Sequence, residues 1–134
     1  MGDVDDGETF RERTVPSLAE FVPAADLKVG TTYYRVYFVD EKMLVPQLWP
    51  VVYLGEDLEP DNPGLYFQDA GSYFSGVSYA DAAWNESEDG TLRATAKNTP
   101  GPWFEVEELA EESSVFHFDR ALNQLLACSL RKNK

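Results

Sequence analysis

Residues 31–39 read TTYYRVYFV. Apart from Arg35, every position holds a β-branched or aromatic residue, the composition of a strand. Side chains alternate along a strand, so Tyr34, Val36 and Phe38 share one face and Tyr33, Arg35, Tyr37 and Val39 the other. The first set is expected to meet the core. The second, two phenols flanking a cation, is expected to be a half-solvated face held by cross-strand packing. Its other use is as a recognition surface, because Tyr and Arg anchor interfaces.

Further strands follow downstream. VVYLG at 51–55 reads as a strand stopped by Gly55, and LYFQD at 65–69 as a third. Between them lies the acidic loop EDLEPDNPG at 56–64. SYFSGVSY at 72–79 reads as a fourth strand, entered through Ala70-Gly71-Ser72 and bent at Gly76. Pro46 and Pro50 restrict any strand over 40–50 to a short one or to an edge. ADAAW at 80–84 fits either a helical turn or a continuing strand. Asp89-Gly90 is a turn signal, and TLRATA at 91–96 alternates as the second arm of a hairpin. NTPGP at 98–102 reads as a loop, and WFEVEE at 103–108 sets Phe104 and Val106 against Trp103, Glu105 and Glu107.

The ends complete the plan. Residues 119–131 predict a helix capped by Asp119, with Leu122, Leu125, Leu126 and Leu130 as its apolar stripe. Arg131 and Lys132 complement the negative end of its dipole. Residues 1–14 read as a flexible acidic arm and 15–134 as a single globular domain. Ser17 is placed to cap a turn of helix through Leu18, Phe21 and Val22, ended by Pro23. A run of strands closed by a helix predicts the α+β class. The expected architecture is a curved antiparallel sheet, or a small open barrel of SH3-like or roll-like form, with the amphipathic helix over one face or opening.

Composition narrows the functions. The 134 residues carry 24 acidic and 11 basic side chains, a formal net charge of −13. Such a body repels nucleic acid and anionic membranes, and attracts basic proteins. No stretch approaches a membrane span, and MGDVDDGETF lacks the basic and apolar regions of a secretory signal. With one cysteine, Cys128, no internal disulfide can form, and a cytoplasmic location is expected. Acidity has a plainer use too, in solubility.

Few residues carry chemistry. His117, in VFHFD, is the one histidine, and nothing in the sequence supplies an acid to orient it. Cys128 reads as a small buried hydrophobe in acidic surroundings that disfavour a reactive thiolate. Asp57, Glu59 and Asp61 alternate as in a calcium loop, but Pro60 interrupts them and Gly64 comes late, so a solvated turn is expected. Nucleotide, hydrolase and zinc motifs are absent from the sequence. No metal or cofactor is therefore expected.

These readings favour a small acidic, non-catalytic interaction protein that binds a basic protein partner, as inhibitors of basic toxins or charge mimics do. The expected contacts are Asp57, Glu59 and Asp61 in one loop and Glu86, Glu88 and Asp89 in another, with Tyr33, Arg35 and Tyr37 as the anchor face. The alternative is a small-ligand binding domain with an aromatic pocket built from residues such as Tyr33, Arg35, Tyr37, Trp49 or Trp84. An enzyme using a carboxylate with a perturbed pKa, and an accessory domain that pairs with itself at an edge strand, complete the possibilities.

Overall fold

The computed structural model describes residues 20–42, 44–86, 92–97 and 99–132. The expected N-terminal arm, the Ser17 cap, Glu88 and the Asp89-Gly90 turn lie outside these residues. The strands are β1 (Thr32–Phe38), β2 (Pro46–Glu56), β3 (Leu65–Asp69), β4 (Ala82–Glu86), β5 (Leu92–Ala96) and β6 (Thr99–Glu107). They form one antiparallel sheet in the order β1-β2-β3-β6-β5-β4. Helices α1 (Ala70–Phe74) and α2 (Phe118–Lys132) complete an α+β fold. The sheet is open, with β1 and β4 at its edges. Among the described residues, no helix is long and apolar enough to cross a membrane.

Register assigns the faces. Tyr33 pairs with Val51, Arg35 with Trp49, Tyr53 with Phe67, and Phe67 with Glu105. Antiparallel partners share a face, so one face carries Tyr33, Arg35, Tyr37, Trp49, Val51, Tyr53, Phe67, Trp103 and Glu105. The main apolar cluster lies here: Tyr33, Val51, Tyr53, Leu65 and Phe67 pack with Val22 and Val115. The segment after β6 crosses this face to reach β1. Phe116 and Tyr34 exchange backbone hydrogen bonds of 2.7 and 2.9 Å, and Val22 pairs with Ser113 and Val115 on the other side.

This corrects the reading of β1. Tyr33 and Arg35 were expected on a half-solvated face, yet they are only 1% and 5% exposed. The cover comes from residues distant in sequence, which alternation within β1 cannot reveal. The opposite face is covered too. Tyr34 meets Phe118 at 5.4 Å between ring centroids, and the Arg131 guanidinium lies 5.4 Å from the centre of the Phe38 ring. Helix α2 thus lies against the Tyr34–Phe38 side of β1. Its inward stripe is rotated, however: Ala121, Asn123 and Cys128 are buried while Leu130 is 57% exposed. The Cys128 thiol lies 3.1 Å from the Leu44 carbonyl oxygen.

Three local readings also change. Residues 70–74 are helical, where a strand was expected from 72 onward. The Asp69 carboxylate accepts from the Ser72 backbone N–H at 2.9 Å and from its hydroxyl at 2.6 Å, an N-cap that nucleates the turn. Residues 99–102 belong to β6 rather than to a loop. Among the described residues, Phe21 and Val22 are not helical, and a single 3-10 turn spans Ala24–Asp26 after Pro23. As expected, the prolines of β2 sit at an edge: residues 46–50 pair with β1 on one side, and β3 pairs only from Val51 onward.

Candidate functional site: an aromatic cleft over a buried ion cluster

The segments that cover the core leave the Tyr37 end of the same face open. There β1, β2, β5 and β6 surround a cleft of about 480 Å³ lined by Tyr37, Trp49, Ala94, Thr95, Trp103 and Glu105. That volume lies within the range of small-molecule sites. Trp49 and Trp103 are 5.6 Å apart between ring centroids and inclined at 56°, so the two indoles form the walls of a V. Tyr37 stands edge-on to Trp49, at 6.0 Å and 88°. Tyr37 and Trp49 are 42% and 38% exposed, unusual for large rings within a sheet.

Strand registry explains why these rings converge. Trp49 is opposite Arg35 on β1, and Trp103 is opposite Thr95 on β5. Trp103 is also held from below, since its backbone N–H donates to the Asp69 carboxylate at 2.8 Å. The residue that caps α1 therefore also fixes one wall of the cleft.

The floor is ionic. Arg35 Nη2 lies 2.5 Å from Glu105 Oε1 and 3.1 Å from Glu107 Oε1. Arg35 Nη1 donates to the Ser114 hydroxyl. Glu107 accepts from the Ser114 backbone N–H at 3.0 Å and from its hydroxyl at 2.8 Å. The guanidinium also lies over the Phe67 ring, 4.8 Å from its centre, in cation–π geometry. One cation thus serves two carboxylates in a poorly solvated place, where such pairs interact strongly and are costly to break.

The other candidate contacts are not brought together with this cleft. The Asp57 carboxylate accepts from the Gly64 backbone N–H at 2.8 Å and braces its own loop. Glu59 accepts from the Tyr79 hydroxyl at 2.7 Å. Burial, and then that bond to Glu59, push the Tyr79 phenol well above its ordinary pKa. Asp61 is exposed in the same loop, and Glu86 ends β4. Of the anchor residues, Tyr33 belongs to the core, Arg35 to the floor, and only Tyr37 to the cleft wall. Among the described residues, no three His, Cys, Asp or Glu side chains are grouped to hold a metal.

The sequence offers Trp49 as a pocket residue but gives no reason to join Trp103 and Glu105 to it. Alternation in WFEVEE does place Trp103, Glu105 and Glu107 on one face. What it lacks is the insertion of β6 between β3 and β5, which brings that face over Arg35. Trp84, another candidate for that pocket, packs elsewhere, 5.6 Å from Tyr66 between ring centroids. No family model, curated protein or solved structure matches this chain.

Proposed function

We propose that the chain is a non-catalytic binding protein whose recognition site is the cleft between Tyr37, Trp49 and Trp103. The observation that carries this reading is the convergence of three partly exposed rings over a buried ion cluster. Large rings left open to water at the mouth of a concavity cost free energy that an occupant recovers on burial. The Glu105 carboxylate, already engaged by Arg35, is suited to orienting an occupant rather than to exchanging protons.

The strong acidity of the chain supports a basic protein as the partner. Its charge of −13 is spread widely, with exposed carboxylates at Asp57, Asp61, Glu108, Glu111 and Glu112. A field of this kind speeds encounter with a basic surface, and the rings then supply the anchor.

A thermal-shift screen of mixed cationic, neutral and anionic fragments tests the reading, with Trp103→Leu as control. Compounds that stabilise the native chain and lose that effect in the variant support it. A screen in which every hit survives Trp103→Leu contradicts it.

A further inference from the structure

Resting on the reading of the cleft as a binding site, we infer that its occupant is an alkylammonium: the side chain of a lysine presented by a basic protein. Aromatic faces carry negative potential, and indole is the best of them for holding a cation. The two indoles, inclined at 56° with a phenol beside them, offer a wall on which an ammonium and its methylene stem can lie.

The floor selects the sign of charge. Glu105 lines the cleft, while Arg35, 5% exposed, lies beyond it with its Nη atoms on Glu105, Glu107 and Ser114. Of the described residues that line the cleft, Glu105 is the charged one. Arg93 occupies the register position opposite Glu105 on β5. An anion entering the cleft would meet ring faces and a carboxylate, a combination that opposes it. A neutral planar group would fit the walls but leave the floor unused. A lysine stem suits both parts, because its methylenes pack on the indoles while its three N–H donors point to the acid.

The choice of a protein-borne lysine over a free amine follows from the field of the whole chain. A net charge of −13 acts on a polycation far more strongly than on a single ammonium.

The test is calorimetric titration of the intact chain with a glycine–lysine peptide, its fully Nε-acetylated form, and n-butylammonium. The lysine peptide is expected to bind. Acetylation keeps the length and removes the charge, and is expected to abolish binding. Trp103→Leu leaves the protein's charge unchanged and is expected to weaken the lysine peptide by about fivefold to thirtyfold, the range of a partly desolvated cation–π contact. Glu105→Gln is expected to weaken it as well, and thermal melts identify any variant that no longer folds. Weaker but Trp103-dependent binding of butylammonium supports the ammonium as the recognised group.

Equal loss of the lysine peptide in folded Asp61→Asn, with none in Trp103→Leu, would overturn the inference, because attraction would then be general. If acetylated peptide or neutral aromatic fragments bind in a Trp103-dependent way and the lysine peptide does not, the cleft stands as a site and the ammonium falls. If nothing binds in a Trp103-dependent way, both fall.

Discussion

Arg35 and Glu105 meet at 2.5 Å although β2 and β3 stand between their strands. In a flat sheet those strands would lie three spacings apart, roughly 14 Å. Two long side chains and a concave sheet close that distance. The ion pair is thus a measure of curvature, and the same curvature forms the cleft.

Removing the cation should therefore be costly. Arg35→Met leaves Glu105 and Glu107 facing each other without compensation, and is expected to lower stability by about 3 kcal/mol. Adding Glu105→Gln in the same chain should recover part of this. Urea unfolding of the three proteins gives the answer, and a loss below about 1 kcal/mol in the single variant would mean the cluster is well solvated.

Asp69 links a helix cap to the cleft. Its carboxylate accepts from Ser72 and from the Trp103 backbone. Asp69→Ala is expected to cost about 1–2 kcal/mol as a lost cap, and to weaken binding at the cleft through Trp103. Asp69→Asn, which keeps an acceptor, should retain most of the stability. An Asp69→Ala variant that binds as the native chain does would show that Trp103 needs no support from below.

Gly64 combines a φ of +153° with close approach to β6. A Cβ there would lie 2.3 Å from the Glu107 carbonyl oxygen, a backbone atom that cannot swing aside. Gly64→Ala is expected to destabilise by roughly 2 kcal/mol or more. Because Glu107 belongs to the floor, the variant should also reduce affinity at the cleft. Chemical denaturation and a binding titration on the same sample check both effects.

Tyr79 gives a pH dependence of definite sign. Its phenol is raised above the ordinary value of 10.0 by burial and by the bond to Glu59. The fold therefore favours the protonated form. That contribution is complete below the unfolded-state pKa and is lost as pH rises through the folded one. Tyr79→Phe is expected to cost about 1 kcal/mol near neutrality, and the gap between the two proteins should close at strongly alkaline pH. Denaturation measured across the alkaline range, with phenolate absorbance alongside, tests this. A gap that stays constant would place the Tyr79 hydroxyl in water.

Local patterns were legible in the sequence and long-range pairing was not. TTYYRVYFV, LYFQD and the C-terminal helix each declare themselves within a few residues, because composition and period act over that distance. Helix α1 escapes the pattern because LYFQD reads as a strand through Asp69, whose carboxylate instead caps Ser72. Alternation alone puts Tyr33 and Arg35 on a half-solvated face, because their cover, Val22, Val115 and Ser114, is distant in sequence. The cleft was half visible. Tyr37 and Trp49 were named, but Trp103 and Glu105 join them only through the placement of β6 beside β3.

The most direct test of the cleft is the set of indole N–H resonances in a proton–nitrogen NMR spectrum, assigned by substituting each tryptophan and followed as the lysine peptide is added. Trp49 and Trp103 line the cleft, whereas Trp84 packs against Tyr66 and Tyr79. Saturable shifts of the Trp49 and Trp103 signals are expected, with Trp84 unmoved. Shifts confined to Trp84, or none at saturating peptide, would contradict binding at the cleft.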